Sequence, residues 1–533
     1  MYEKLVENWL TSVNELGYQI PFCETLIADG YTILHVSRHG RGEHGKDIVA
    51  RRDDGVLCSF QLKGGDITLG VWRDIRGEVE ELVRLPIRLP GVSETEAHLP
   101  HLVTNGEIRG DAIENIKQHS DDWERRGALG LKVWQRGTVL ERFINAQGSY
   151  LPSRLTAFRD FVNLYVGPFN GQLPKGKLAA LLEGLVAAVP VGTSSTKLRR
   201  VVASITVVAG YIVGQYAQAD NHLAAAEGWV VAAAAILMLA ERDRAEDSTY
   251  RPTLDLVRLG FERALKSMVD EALGAESFLS GGGLADAMVY GVRTTQIIGW
   301  TAYWSAEQRR TGGAGNQREV AAMIRREGSA MQWVGEADWP LRLALVLWLD
   351  REGYSSEAES MLIGWSSSIV QRQGRGNGVP SPYWSQEKVL RRQYGLLAPS
   401  DNEDFQTHSF TLAQCLDMLV RRLRRQAVAA LWPRASRMTL CNYVPDDLYE
   451  TFSWHTNRGV LYEVLPELTA KWSVWRNRAS IVPSDSVPRM LKRHPEWTLP
   501  LLTVYPHRAT VELTAYADAV YTRRAAIPAE GAP

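Results

Sequence analysis

Four polar residues in the first 65 positions have the types and the spacing needed for metal-dependent chemistry. Asp47 lies in the segment Gly-Lys-Asp-Ile-Val-Ala, Gln61 and Lys63 follow as Gln-Leu-Lys, and Glu24 precedes them in Phe-Cys-Glu. Carboxylate and amide oxygens bind hard divalent cations such as Mg²⁺. An ammonium group stabilises the charge that develops on a phosphate. These residue types therefore favour hydrolysis of a phosphodiester bond at a bound metal ion.

A β-hairpin is predicted to bring three of these residues together. Asp47–Ala50 and Leu57–Leu62 have strand patterns, and the Asp-Gly pair between them is typical of a tight hairpin turn. Gln61 and Lys63 are two positions apart, so their side chains project from the same face of the strand. We expect the hairpin to place Asp47 beside that face, where the backbone carbonyl of Leu62 could supply a further oxygen ligand.

The surrounding residues 1–147 are predicted to form one α/β domain. A helical period covers Met1–Leu16, and Gly17 is expected to end that helix. The remaining predicted elements are the strands Tyr31–Val36, Asp47–Ala50, Leu57–Leu62, His101–Thr104 and Leu131–Gln135, and the helices Trp72–Leu85, Asp111–Arg126 and Thr138–Ile144. Asp66, which comes just after the Gln-Leu-Lys segment, is expected to be a turn residue.

The order of these motifs resembles the PD-(D/E)XK nuclease superfamily, in the branch that carries Gln-x-Lys, as in Mrr-type restriction endonucleases. The similarity runs from about Tyr18 to Phe143. Its motifs here are Phe22-Cys23-Glu24, Gly45-Lys46-Asp47-Ile48-Val49-Ala50, Gln61-Leu62-Lys63, Thr104-Asn105-Gly106 and a closing strand and helix.

The resemblance implies a restriction-endonuclease-like fold, in which helices flank a mixed central sheet, and a role for each motif residue. Asp47 and Gln61 would bind Mg²⁺, for which Mn²⁺ is a possible substitute. Glu24 would be a supporting acid that reaches the metal directly or through water, and Lys63 would be catalytic. DNA would be the substrate. The alternative is a degenerate form of the fold that binds nucleic acid or serves as a scaffold without catalysis.

DNA binding would require local positive charge, because the whole chain has a net charge of −1. Arg38 and Arg41 precede Asp47, and Arg73 and Arg76 lie on the helix after the Gln-Leu-Lys strand, so these four are the predicted DNA contacts. A second basic run has two interpretations, a salt-bridged helix face or a contact with a duplex or partner; it contains Arg421, Arg422, Arg424 and Arg425.

Beyond the α/β domain, residues 154–440 are predicted to be almost wholly helical, as tetratricopeptide-like units or an irregular solenoid. Residues 441–533 are predicted to be mixed, with a disordered tail. No catalytic motif lies beyond about residue 150, so we expect the first domain to hold the metal site by itself. Two apolar stretches, Val201–Ala219 and Leu223–Ala240, are interrupted by polar residues and are expected to be buried helices, with no membrane contact.

Composition limits the remaining possibilities. The chain has 533 residues, of which 45% are hydrophobic and 23% are charged, so wholesale disorder is excluded. Four scattered cysteines without a Cys-x-x-Cys pair indicate neither a disulfide framework nor a zinc site and are typical of the cytoplasm. No P-loop motif is present. A nuclease domain joined to a helical region without a motor resembles bacterial restriction or antiviral-defence effectors, which implies a separate ATPase or sensor protein as partner and a possible homo-oligomer.

Overall fold

The structure is a computed structural model, and it divides into two compact units. The first unit comprises Met1–Ile236 and Asp243–Ala264, and the second comprises Leu237–Arg242 and Leu265–Pro533. The residues described are 2–37, 45–147, 155–167, 169, 171–276, 284–313, 316–328, 331, 335–374, 382, 384–393, 395–397, 408–455, 460–464, 472–480 and 485–522.

A five-stranded mixed sheet forms the centre of the first unit. Its order is β1-β2-β3-β4-β5; the first three strands pair antiparallel, and the last three pair parallel. The strands are β1 Tyr31–Val36, β2 Ile48–Arg52, β3 Leu57–Lys63, β4 Leu99–Thr104 and β5 Lys132–Trp134. The predicted α/β class and the mixed central sheet are therefore confirmed.

The hairpin between β2 and β3 sets the register of the predicted site. Its turn closes with hydrogen bonds between Arg52 and Val56 and from Gly55 to Arg52, and Gly55 has a φ of +87°. Glycine adopts this left-handed conformation without the steric cost that a Cβ would bring. Ile48 pairs with Phe60, so the next position of the ladder places Asp47 opposite Gln61.

Ten helices of the described chain begin in the first unit. They are α1 Tyr2–Ser12, α2 Glu15–Ala28, α3 Leu69–Arg84, α4 Asp111–Arg125, α5 Arg136–Gln147, α6 Leu155–Tyr165, α7 Lys175–Ala187, α8 Ser195–Gln218, α9 His222–Arg242 and α10 Asp247–Gly274. The prediction that Gly17 ends the first helix was wrong. Asn14 caps α2 by accepting a hydrogen bond from the Gly17 N–H at 2.9 Å. The first helix therefore ends before Gly17, and Gly17 lies in the first turn of α2.

The Thr-Asn-Gly segment at the end of β4 joins three parts of the first unit. Thr104 donates to the Gly65 carbonyl at 2.6 Å, and Asn105 accepts from the Gly65 N–H at 2.7 Å. Asn105 also donates to the carbonyl of Leu10 at 2.6 Å. A Cβ on Gly106 would lie 2.2 Å from the Gly65 carbonyl carbon, so only glycine fits there. These contacts give the motif a structural role.

The second unit is mostly helical and contains a small sheet. The strands β6 His408–Ser409, β7 Thr439–Val444 and β8 Val460–Val464 lie in sequence order, β6 parallel to β7 and β7 antiparallel to β8. The helices are α11 Leu284–Arg310, α12 Gln317–Glu327, α13 Trp339–Arg351, α14 Ser355–Gly374, α15 Gln386–Gln393, α16 Thr411–Arg421, α17 Arg425–Ala435, α18 Trp472–Ser480, α19 Arg489–Arg493, α20 Thr498–Val504 and α21 Val511–Thr522. The large helical region is confirmed, whereas the predicted domain boundaries stay predictions and the predicted tail lies outside the described residues.

Helices α8 and α9 correspond to the two apolar stretches of the sequence. By length and composition alone, each could cross a membrane. Their most apolar 18-residue windows are 78% and 94% buried inside the protein, respectively. The prediction that these stretches form buried helices is therefore confirmed, and the cytoplasmic location stays a prediction.

Candidate active site at the ends of β2 and β3

Asp47 is held at the start of β2 by contacts to its backbone and its carboxylate. Its N–H donates to the Phe60 carbonyl at 2.9 Å, and its carbonyl accepts from the Ser37 N–H at 2.7 Å. The carboxylate oxygen Oδ2 accepts from the Leu62 N–H at 2.7 Å. Because Leu62 lies between Gln61 and Lys63, this bond turns the carboxylate towards the predicted partners.

Gln61 and Lys63 project from the same face of β3, as the strand period predicts. Gln61 Nε2 and Lys63 Nζ both donate to Oε2 of Glu78, at 2.8 Å and 2.7 Å. Gln61 is 2% exposed, and the Lys63 side chain is 19% exposed. The Lys63 ammonium therefore lies in a partly buried position with a carboxylate partner.

Glu78, which no sequence motif marks, contacts both Gln61 and Lys63 from α3. It lies in an acidic segment with Glu80 and Glu81, and composition alone does not distinguish the three. The sequence signal that could have pointed to Glu78 is the apolar stripe of α3, which is buried and contains Trp72, Ile75, Val79 and Leu82. A residue at the flank of such a stripe lies beside the neighbouring sheet.

Gly45 closes the space between the segment before Asp47 and α3. Its φ is +68°, and a Cβ there would lie 2.5 Å from the backbone carbonyl oxygen of Glu78 and 3.6 Å from Gln61 Oε1. Both the conformation and the close approach require glycine. The glycine before Asp47 therefore brings this segment against the face that carries Gln61.

Helix α2 contacts the end of β3 through Tyr18. The Tyr18 hydroxyl donates to the Lys63 carbonyl at 3.0 Å. Burial raises the pKa of Tyr18 well above its ordinary value, and the negative charges of Glu15 and Asp47 raise it further. Tyr18 is therefore a neutral phenol that fixes the backbone of the Gln-Leu-Lys segment beside Asp47.

The oxygen atoms at this point fit a hard divalent cation. Gln61 Oε1 is buried and has no hydrogen-bond partner among the described residues, so an acceptor is left unused there. The N–H and the C=O of one strand residue point to the same edge, so the Leu62 carbonyl is directed to the edge where its N–H meets Asp47. No group of three or more His, Cys, Asp or Glu that could hold a metal occurs among the described residues. An ion here would depend on amide and backbone oxygens and on water as well as on carboxylate.

Asp47 lies opposite Gln61 in the hairpin and contacts the backbone of Leu62, and Gln61 and Lys63 share Glu78, whereas no described contact joins Glu24 to any of the three. Glu24 is 1% exposed, and its Oε2 accepts from the Thr253 hydroxyl of α10 at 3.2 Å. Burial raises the pKa of Glu24 to about 8.

The α2 side chain that does reach Asp47 is Gln19, whose Nε2 donates to the Asp47 carbonyl at 3.3 Å. Residues 18–26 of α2 are all buried. The pattern of apolar residues therefore does not indicate which polar side chain of this helix faces the sheet.

Only two of the four predicted DNA contacts lie among the described residues. Arg38 and Arg41 fall outside the described residues. Arg73 and Arg76 are exposed on α3. Arg76 precedes Glu78 by two residues, a rotation of about 200° around the helix, so the two side chains leave α3 in nearly opposite directions. Contact between these arginines and DNA stays a prediction.

Other charged residues named from the sequence have structural partners. Asp66 accepts from the Glu107 N–H at 2.8 Å and pairs with Arg109 at 2.6 Å, as expected of a turn residue. The second basic run has salt bridges, which favours the first of its two interpretations: Arg421 pairs with Asp417, Arg422 with Asp350 and Asp518, and Arg424 with Glu359.

Comparisons with known proteins identify no relative. No protein-family model matches the chain, no curated protein matches its sequence, and no solved structure matches its fold.

Proposed function

We propose that this chain is a Mg²⁺-dependent endonuclease that hydrolyses phosphodiester bonds in DNA, with a restriction-endonuclease-like first domain. One observation carries the proposal. At the adjoining ends of β2 and β3, the Asp47 carboxylate meets the Leu62 N–H at 2.7 Å, next to the unpaired Gln61 Oε1 and the Lys63 ammonium. Oxygen ligands and a cation at one strand end are the groups that phosphodiester hydrolysis requires.

In the proposed reaction, Asp47, Gln61 and the Leu62 carbonyl would hold the metal ion, Mg²⁺, for which Mn²⁺ is a possible substitute. When bound, such an ion lowers the pKa of a water molecule and polarises the phosphate. Lys63 stabilises the negative charge that develops on the phosphate. Glu78 orients Lys63 and Gln61 by accepting a hydrogen bond from each. Glu24 is left out of this set because its described contact is with Thr253.

DNA as substrate and the wider role follow from the resemblance to Mrr-type restriction endonucleases. Arg38, Arg41, Arg73 and Arg76 are the proposed contacts with the DNA backbone. By analogy of architecture alone, we propose a cytoplasmic restriction or antiviral-defence effector of bacterial type. Its helical region, proposed to stack as tetratricopeptide-like or solenoid units, would sense a trigger, form a homo-oligomer or dock a separate ATPase or sensor protein.

A second candidate function is nucleic-acid binding, or a scaffold role, without catalysis. It is favoured by the small number of acidic ligands, since the described residues contain no group of three or more acidic, histidine or cysteine side chains that could hold a metal. The pairing of Lys63 with Glu78 also agrees with a purely structural role for that lysine. The two functions differ in whether DNA is cut.

Plasmid cleavage with and without Mg²⁺ separates the two functions. The variants are Lys63→Ala and, as a matched control, Lys132→Ala, which removes an exposed lysine from β5 of the same sheet. We expect the wild type and Lys132→Ala to cut only with Mg²⁺ and Lys63→Ala to lose about 100-fold or more in rate. Lys63→Ala should still bind Mn²⁺, because ammonium is not a metal ligand. Undiminished cleavage by Lys63→Ala would show that the active site lies elsewhere, and DNA binding without cleavage by the wild type would favour the second function.

A further inference from the structure

Helix α10 lies antiparallel to α2. Three contacts show the direction: Thr253 meets Glu24, Gly260 lies against Ile20, and Arg263 meets Gln19. All of these residues belong to the first unit. A helix that begins about 100 residues after the α/β domain therefore packs on the helix that supports the candidate site.

Gly260 allows the close approach of α10 and α2. A Cβ at this position would lie 2.8 Å from Ile20 Cδ1 and 2.7 Å from the ring of Trp229. At distances below 3 Å a neighbouring group must shift, so a larger residue would displace the Ile20 side chain and the Trp229 ring. Gly260 is almost one helical turn before Arg263, so the same approach brings the Arg263 guanidinium to Gln19.

Arg263 is connected to Asp47 by two routes. Its Nη1 donates to Gln19 Oε1 at 2.5 Å, and its Nη2 donates to the Ser37 carbonyl. Gln19 Nε2 and the Ser37 N–H both donate to the Asp47 carbonyl, at 3.3 Å and 2.7 Å. A guanidinium has fixed, planar donors and can hold two acceptors at once. Arg263 thus contacts both groups that donate to the Asp47 carbonyl.

We propose that Arg263 is a positioning residue for the metal site, acting on Asp47 through Gln19 and Ser37. The inference rests on the proposed function, in which Asp47 is a metal ligand. Asp47 directly precedes β2. Its N–H is held by the Phe60 carbonyl of β3, and its carbonyl is held by Ser37 and Gln19, the two residues that Arg263 contacts. In this proposal, residues 247–264 of α10 complete the site. The proposal thus differs from the expectation that the first domain holds the metal site by itself.

Mn²⁺ binding to the full chain, followed by electron paramagnetic resonance, tests this inference without relying on activity. Arg263→Ala should weaken Mn²⁺ binding about tenfold, as is typical when a residue that orients a ligand is lost. Arg263→Lys should lose less Mn²⁺ affinity than Arg263→Ala, because an ammonium keeps the positive charge but not the fixed, planar pair of donors. The matched control is Arg251→Ala, which removes an exposed arginine with weak ion pairs from the same helix.

A double variant separates positioning from general stability. Because Gln19 is one of the two routes from Arg263, adding Gln19→Ala to Arg263→Ala should weaken Mn²⁺ binding little beyond Arg263→Ala alone. Thermal melts of each variant identify those that remain folded. Should Arg263→Ala not fold, Arg263→Lys measured against Arg251→Lys decides the question by the same comparison of affinity.

The outcomes distinguish this inference from the function on which it rests. If Asp47→Ala weakens Mn²⁺ binding but a folded Arg263 variant binds like its Arg251 control, the positioning role is overturned and the proposed function stands. If the wild type binds Mn²⁺ no better than Asp47→Ala, both proposals fail. If the effects of Arg263→Ala and Gln19→Ala on Mn²⁺ affinity add fully in the double variant, action through Gln19 is also contradicted.

Discussion

Replacing Asp47 by Asn or by Ala should separate two roles of one carboxylate. Oδ2 of Asp47 accepts the Leu62 N–H at 2.7 Å, and Leu62 is 1% exposed. Asn keeps an acceptor oxygen of the same shape but loses the negative charge, whereas Ala loses both. We therefore expect Asp47→Asn to keep the end of β3 intact and to lose metal binding. Asp47→Ala should lose both.

The magnitude follows from the hydrogen bond that Ala removes. A buried donor left without an acceptor costs about 1–3 kcal/mol. This corresponds to an increase of about 5- to 150-fold in the population in which the Leu62 amide is open to solvent. Asp47→Asn replaces a bond to a charged acceptor by a bond to a neutral one, so its cost should lie at or below about 1 kcal/mol.

Hydrogen–deuterium exchange at the Leu62 amide measures this opening directly, which is preferable to a global melt for a chain with two units. Peptides that cover β3 should exchange faster at Leu62 in Asp47→Ala than in the wild type or Asp47→Asn. Mn²⁺ titration of the same samples measures how much metal affinity is lost with the negative charge of Asp47. Equal protection in the Ala and Asn variants would refute the structural role of Oδ2. Wild-type Mn²⁺ affinity in Asp47→Asn would refute its role as a ligand.

Three further predictions follow from other contacts of the first unit. Because burial raises the pKa of Glu24 to about 8 in the folded state, the stability it contributes is present at acidic pH and is lost as pH rises from about 4.5 through about 8. Glu24→Gln should therefore flatten the pH dependence of the melting temperature in this range, and a curve parallel to that of the wild type would contradict the assignment. Glu78→Ala leaves the buried Gln61 amide without its acceptor and should destabilise the first unit by about 1–3 kcal/mol, against a smaller loss for Glu78→Gln, in urea unfolding. Gly260→Ala places a Cβ 2.7 Å from Trp229, so its melting temperature should fall; an unchanged melt would show that α10 is free to move away.

Local patterns predicted the sheet and most of the candidate site. The strand Tyr31–Val36 has the predicted bounds, and β3 extends its prediction by one residue, because short runs of strand-forming residues and an Asp-Gly turn are local signals. The strand period alone placed Gln61 and Lys63 on one face, and the hairpin placed Asp47 opposite Gln61. These relations involve residues close in sequence.

Contacts between residues distant in sequence were not predictable in this way. Glu78 is one of several acids on an amphipathic helix, and its partners depend on how α3 crosses the sheet. Gln19 lies in a helix segment that is buried on every side, so no periodicity marks its direction. Arg263 is separated from Gln19 by 244 positions, and only the packing of α10 on α2 brings them together.

The proposed dependence of Asp47 on α10 also implies an order of events during synthesis of the chain. Lys63 leaves the ribosome about 200 residues before Arg263. At about 5–20 residues per second, the delay is about 10–40 s. During that interval the sheet can form while the contact from Arg263 to Gln19 does not yet exist. For the endonuclease that we propose, a nascent chain therefore reaches full metal affinity only after its α10 has been made.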